Sequence, residues 1–459
     1  MSQTPFDPNR TVIGGPGPAV DPNRTQAMSG PPPMPAPGMA TATELSVNVL
    51  AGRAATMANG PAREAFLLEI SAPHDAGTLP GMAVAGRRAP LNLCLVIDRS
   101  GSMEGAPLQF AKEACSFVID LLGPQDVLSI VTFDETVQTL MNPQNVTDKH
   151  AIKQGLQQLS AGYTTDLYSG MQQAAGLLLE RKGAGRTTRM VVLTDGEPTS
   201  GITGYTELTE FAGNLKQQGV TCTFLGFGPE YNEELLAGMA KRATGNYYYI
   251  AQPHMIPEVF GKEINKLLGT AATNLRLSVK TARWVTLRAA TGHAITPGAA
   301  NVTLDLSDIE AGSTLRQGFE LEFPNHPIGH YRVMAGELTY EDTATGASKR
   351  VDVDFVVEFT ADAAKYSQPM DPRVEGAMEL SAASRVVERT IMGLKTQQIN
   401  LATAMADLQK TQALLVQQGK TAEAQEVTIA MQAISRGDVG GAEKTLMGTV
   451  VNLDQGKSN

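Results

Sequence analysis

Leu91-Asn92-Leu93-Cys94-Leu95-Val96-Ile97-Asp98-Arg99-Ser100-Gly101-Ser102-Met103 is the stretch that decides the fold. Its first seven residues form a short apolar run, the pattern of a strand buried on both faces of a parallel sheet. One carboxylate and two hydroxyls then follow at alternate positions, Asp98, Ser100 and Ser102. The carboxyl ends of strands are where open α/β sheets bind ligands, so these three side chains make a candidate site. The plainer alternative is a turn whose Ser and Asp merely cap the next helix.

Working outward, residues 89–270 alternate strand and helix patterns. After the first strand, residues 111–122 carry helical apolar spacing. Strands are predicted at 127–133, 137–140, 190–194, 221–227 and 247–250. Helices are predicted near 148–159, 167–179, 206–217, 233–242 and 257–268. This order predicts a doubly wound, Rossmann-like α/β sheet, parallel except for an edge hairpin, with helices on both faces.

Two further segments place polar residues where such a sheet would gather them. One is Gly162-Tyr163-Thr164-Thr165-Asp166-Leu167, at a helix start; the other is Val192-Leu193-Thr194-Asp195-Gly196-Glu197, at a strand end. With Asp98-x-Ser100-x-Ser102 they stand in the order of the von Willebrand factor A (VWA) family, and the chain resembles a bacterial multidomain member of it. The family's metal-ion-dependent adhesion site opens with Asp-x-Ser-x-Ser. The resemblance implies that Ser100, Ser102 and Thr165 offer hydroxyls to a divalent metal, while Asp98 and Asp195 act mostly through waters and hydroxyl protons. Mg²⁺ or Mn²⁺ is the implied cofactor, since small hard cations take oxygen ligands in octahedral geometry. An ion with neutral direct ligands would accept an Asp or Glu from a partner protein, which is binding and not catalysis. The family commonly has two glycines before the threonine, where this chain has Tyr163-Thr164. Thr165 keeps Asp166 and the following helix in register, and Thr164 is the other candidate.

The flanks read differently. Residues 42–88 alternate in places, as in Glu44-Leu45-Ser46-Val47-Asn48-Val49, and strand patterns resume at 275–279, 284–287, 302–306, 319–323, 331–340 and 351–357. Two or three strands cannot stand alone. One β-sandwich built from 42–88 and 272–362, with the α/β domain of 89–271 inserted into it, accounts for both flanks. From 363 to 459 the pattern is helical, with helices expected at 374–394, 399–418, 421–435 and 440–452, joined by short turns into antiparallel hairpins. Arg436-Gly437-Asp438 reads as a glycine helix stop followed by an Asp cap.

Residues 1–41 hold ten of the chain's 26 prolines and little aliphatic periodicity, the composition of a disordered tail. Within it, Asp7-Pro8-Asn9-Arg10-Thr11 recurs as Asp21-Pro22-Asn23-Arg24-Thr25. Thr11 and Thr25 are candidate phosphorylation sites for a Ser/Thr kinase, and their phosphates would dock a phosphothreonine-reading domain.

A net charge of −10 without blocks of like charge, and 5% aromatic residues, give no sign of a nucleic-acid surface. No apolar stretch is long enough to span a membrane, and no secretory signal is visible. The three cysteines, Cys94, Cys115 and Cys222, sit inside predicted elements and read as core thiols of a cytoplasmic protein. No phosphate loop, nucleophile elbow or second aspartate two residues after Asp98 suggests an enzyme. The expectation is a metal-dependent protein-binding module in an assembly or signalling role. The alternative is a phospho-regulated scaffold whose tail and helical domain recruit partners, with a structural metal.

Overall fold

The computed structural model describes residues 44–73, 89–183 and 186–458. Thr11 and Thr25 lie outside them. The chain opens with β1 (Ser46–Ala51), β2 (Ala55–Met57) and β3 (Ala62–Ser71) of a β-sandwich. The inserted domain follows: β4 (Leu91–Asp98), α1 (Ala106–Leu121), β5 (Val127–Phe133), β6 (Val137–Asn145), α2 (Lys149–Leu156), α3 (Leu167–Glu180), β7 (Thr187–Thr194), α4 (Tyr205–Gln217), β8 (Thr221–Phe227), α5 (Glu233–Arg242), β9 (Tyr247–Ile250) and α6 (Ile256–Leu268). Its sheet runs β6-β5-β4-β7-β8-β9, parallel but for the antiparallel edge pair β5–β6. That is the doubly wound order, and every residue of β4 is buried. Leu91, Leu93, Leu95 and Ile97 pack on the α1 and α6 side, Cys94 and Val96 on the α3 side. Period-2 side-chain alternation makes a continuous apolar run serve both helical layers.

The sandwich then resumes with β10 (Thr270–Thr281), β11 (Thr286–Ala290), β12 (Asn301–Asp305), β13 (Ile309–Glu310), β14 (Thr314–Phe323), β15 (Gly329–Asp342) and β16 (Ser348–Thr360). One sheet is β1-β3-β14-β11; the other is β12-β10-β15-β16-β2, with β13 beside β10. β3, from before the insertion, pairs with β14 along ten residues, from Ser71 opposite Thr314 to Ala62 opposite Phe323. Phe66, Leu68 and Ile70 of β3 enter the core between the sheets, where Phe66 meets Phe355 edge-on at 5.8 Å. The expected strand at 284–287 begins instead at Thr286, because Trp284 turns to stack on His326 at 3.9 Å.

The end comprises a short α7 (Ala363–Tyr366), α8 (Pro372–Lys395), α9 (Leu401–Gln417), α10 (Thr421–Ser435) and α11 (Val439–Asp454), then β17 (Lys457–Ser458). Val387, Leu408, Val427 and Leu446, one from each long helix, share a single core. Gly437, at φ +86°, ends α10, and Asp438 caps α11 by accepting from the Gly441 amide at 2.8 Å. The helices are not a free appendage. Ala65 and Leu67, on the outer face of β3, pack on Val374 of α8. Val451 of α11 enters the core of the inserted domain. β17 pairs with β14, so the last residues of the expected helical domain belong to the sandwich sheet.

Entry to and exit from the inserted domain are tied to neighbouring residues. The Gly312 amide donates to the Pro73 carbonyl at 3.1 Å, and the Ala311 amide to the Gly269 carbonyl at 2.9 Å. Just before them, Asp308 pairs with Arg189 of β7 and lies 3.9 Å from Lys216 of α4. Burial alone would raise the Asp308 carboxyl, but Arg189 and Lys216 more than offset it and hold it below its ordinary 3.8.

Breaking a buried pair strands the other charge, which costs about 3–5 kcal/mol. Asp308→Ala is therefore expected to lower the unfolding free energy measured in urea by that order, with a lower midpoint; an unchanged midpoint would refute the coupling. A carboxyl lowered on folding stabilises the native state above its unfolded range near 3.8, and this contribution is lost as pH falls through the folded value. Acid titration of stability should accordingly lose part of its low-pH limb in Asp308→Asn.

Burial pushes the Cys94, Cys115 and Cys222 thiols up to about 12. All three should resist a thiol-exchange reagent in the native protein and react together on unfolding. Rapid native labelling of any one would contradict their burial.

Candidate metal centre

The ends of β4 and β7 bring Asp98, Ser100, Ser102 and Asp195 together. Asp98 is fully buried and accepts from the Ser100 amide at 2.8 Å and the Thr194 hydroxyl at 2.6 Å. Those bonds fold the chain back after β4, so that residues 101–103 form a single tight turn. The turn sets the Ser100 and Ser102 hydroxyls 3.2 Å apart. Both address one carboxylate oxygen, Oδ1 of Asp195, at 3.4 Å from Ser100 and 2.8 Å from Ser102.

Thr165 comes from a third loop. It is 5% exposed, and its hydroxyl lies 3.4 Å from where a Cβ on Gly196 would stand, beside Asp195. Its amide donates to the Thr199 hydroxyl at 3.0 Å, and its carbonyl accepts from the Thr199 amide at 2.9 Å. Thr164 is exposed and faces Ser200, with hydroxyls 3.4 Å apart. The geometry therefore brings Thr165, not Thr164, to the buried side of the loop. Asp166 caps α3 by accepting from the Ser169 amide at 3.0 Å.

Residues that the motif reading did not single out hold these loops. Arg99 reaches Asp134, after β5, with both guanidinium Nη atoms at 2.8 Å. Its carbonyl accepts from the Gly162 amide at 2.6 Å, and the Tyr163 carbonyl accepts from the Gly101 amide at 3.2 Å. Any Cβ on Gly162 would overlap the Asp134 carboxylate, so glycine is required there for close approach. Thr194, adjacent to Asp195, was the one supporting residue with a sequence signal, its place at the end of a predicted strand.

The electrostatics are unusual. Burial pushes the Asp98 carboxyl up to about 6, against its bonds from Thr194 and Ser100, and Asp195 nearby raises it further. Burial likewise raises Asp195, with Ser102 opposing. Among the described residues, no lysine or arginine stands within ion-pair distance of either. Two neighbouring buried carboxylates without a cation are a charge deficit, and a divalent ion would reverse it. The donors are all oxygens. The 3.2 Å between the serine hydroxyls is close to the edge of about 3 Å of an octahedron with Mg–O bonds of 2.0–2.1 Å. The residues present thus fit a small hard cation, which Ser100, Ser102 and Thr165 would hold with Asp98 and Asp195 behind them.

Residues 92–262 match the von Willebrand factor type A domain. The uncharacterized protein sll0103 of Synechocystis sp. is 33% identical over 198 residues, 43% of this chain and 46% of that protein. The chain spans less than half the length of the curated relatives it matches. Among solved structures, a von Willebrand factor type A protein from Catenulispora acidiphila superposes with a TM-score of 0.68 at 16% identity, covering 84% of this chain and 90% of that one. The ArnB paralog VWA2 from Sulfolobus acidocaldarius does so at 0.61 and 16%, covering 89% and 98%. Both likenesses extend well past the inserted domain and so concern the whole arrangement of sandwich, insert and helices. The insert at residues 92–262 is a von Willebrand factor type A domain.

Proposed function

We propose that this chain is a metal-dependent protein-binding module, with Mg²⁺ or Mn²⁺ at Asp98, Ser100, Ser102, Thr165 and Asp195, serving a cytoplasmic assembly or signalling role. The observation that carries this reading is the pair of buried, unneutralised carboxylates, Asp98 and Asp195, hydrogen-bonded to hydroxyls at the mouth of the sheet. When bound, the ion would keep much of its positive charge beside hydroxyl donors, which would suit an Asp or Glu side chain of a partner protein. The chain's own residues do the rest. Asp98 orients the turn through the Ser100 amide, Thr194 fixes Asp98, and the Thr165 carbonyl locks its loop to that of Asp195. Preformed loops cost little ordering on binding, which favours affinity.

The alternative is a scaffold in which phosphorylated Thr11 and Thr25 and the helical domain recruit partners while the metal is structural. The two separate on chelation. In the favoured reading, partners retained by the immobilised protein in Mg²⁺ are released by EDTA and are not retained by Ser100→Ala; retention indifferent to both would support the scaffold.

Metal binding itself is testable without a partner. Asp98→Ala removes the acceptor that organises the turn, and calorimetry should show Mg²⁺ and Mn²⁺ binding lost. Undiminished affinity would rule out this assignment.

A further inference from the structure

The rim around the candidate centre has a composition of its own. Tyr163 is 83% exposed although its carbonyl is bound to Gly101, so a fixed backbone holds an aromatic ring out to solvent. Ile202, 38% exposed, stands on the facing loop, which the Thr164–Ser200 and Thr165–Thr199 contacts pin against the first. The charged side chains beside them are mostly acidic. Glu104, Glu135, Glu197 and Glu230 are all exposed, Glu135 lies 3.5 Å from the Thr164 amide, and Glu230 is near enough to Asp195 to raise its carboxyl. Across residues 99–105, 134–136, 161–166, 195–204 and 228–232 the only basic side chain is Arg99, whose two Nη atoms are both on Asp134.

Such a rim repels a polyacidic ligand. It suits a segment with one carboxylate for the centre, an apolar side chain for Tyr163 and Ile202, and a cationic one for the glutamates. The chain's own N-terminal repeat has this composition twice. Phe6-Asp7-Pro8-Asn9-Arg10 and Val20-Asp21-Pro22-Asn23-Arg24 each place an apolar residue before a single aspartate and an arginine three residues after it. We propose that this repeat is the ligand of the site, so that the chain's own tail occupies the metal centre until a partner displaces it. The inference rests on the metal-dependent reading above and names its occupant.

Reach permits it. Asp21 lies 23 positions before Glu44, the first described residue, and Asp7 lies 37 before it. At 3.3–3.6 Å per residue the shorter span extends to about 76–83 Å, against a radius of gyration of about 23 Å for a compact chain of this length. A tethered segment competes at an effective concentration near millimolar, so even a weak segment would keep the site occupied. Two copies raise that occupancy further.

The test uses the full chain and a fluorescent peptide of residues 17–28 as probe. In Mg²⁺, the double variant Asp7→Asn/Asp21→Asn should bind the probe about tenfold or more tighter than the wild type, because its own tail no longer competes. EDTA, Ser100→Ala in the receptor, or Asp21→Asn in the probe should each abolish binding. Arg24→Glu in the probe, or Tyr163→Ala in the receptor, should weaken it. Equal binding by wild type and double variant overturns the tail as occupant. So does a probe no tighter than a Gly/Ser peptide with one aspartate; in that case the metal-dependent reading stands if the control peptide binds with Mg²⁺ and is released by EDTA. If no carboxylate peptide binds and calorimetry finds no metal, that reading falls as well. Tighter probe binding together with loss of a concentration-dependent dimer in the double variant assigns the tail to a second copy; the same gain with a monomeric wild type assigns it to its own chain.

Discussion

Six consecutive residues, Asp308 to Ser313, hold this molecule in one arrangement. Asp308 carries the buried bond to Arg189 of the VWA sheet, and Ile309 and Glu310 pair with β10 of the sandwich. Glu310 accepts from Lys457 at 2.9 Å, which fixes the strand after the last helix. Ala311 and Gly312 bond the exit and entry of the insert, and Ser313 accepts from the Ala72 amide at 3.0 Å. Inserting a domain into a sandwich requires its two ends to meet without breaking the sheets, and this segment meets that requirement with backbone bonds. Once both ends are fixed, the face that α5 presents to the helical domain is fixed as well.

That face is charged and well satisfied. Glu233 of α5 receives Lys444 of α11 at 2.7 Å and Lys395 of α8 at 2.5 Å, while Lys241 reaches Asp454 at 2.7 Å. Lys444 also donates to the Tyr231 carbonyl at 2.7 Å. Burial would raise the Glu233 carboxyl, but its two lysines hold it below the ordinary value. Charges paired and hydrogen-bonded in this way specify one docking geometry, since any shift would leave a buried charge alone. The candidate centre lies on the loops after β4 and β7, where Asp98 and Asp195 are answered by hydroxyls and amides.

The contrast between these clusters explains why one is structural and the other a candidate for binding. Around Asp308 and Glu233 each carboxylate has its lysine or arginine, and the protein completes its own charge balance. Around Asp98 and Asp195 only hydroxyls and amides answer the carboxylates, and Arg99, the nearest basic residue in sequence, is spent on Asp134. The fold holds the loops of the candidate centre in place by hydrogen bonds, and no lysine or arginine among the described residues pairs with its two carboxylates.

The sequence by itself determined the parallel sheet, because an apolar run such as residues 91–97, within alternating strand and helix patterns, suits burial on both faces. It raised the expectation of an insertion too, since the strands before the insert needed partners; β3 pairs with β14 from after it. The placing of Asp98, Ser100 and Ser102 at a strand end was legible because a strand end is a local feature, and Asp195 was named from the order of the family motif. The Arg99–Asp134 clasp, the role of Gly162 and the side on which Thr165 lies were decided only in three dimensions. They depend on which loops stand next to one another, and neighbours in space far apart in sequence leave no periodicity to read. The same holds for β17 and for Val374 against β3. Ala65 and Leu67 on the outer face of β3 are covered by Val374 of α8, a contact between residues about 300 positions apart that no local pattern marks.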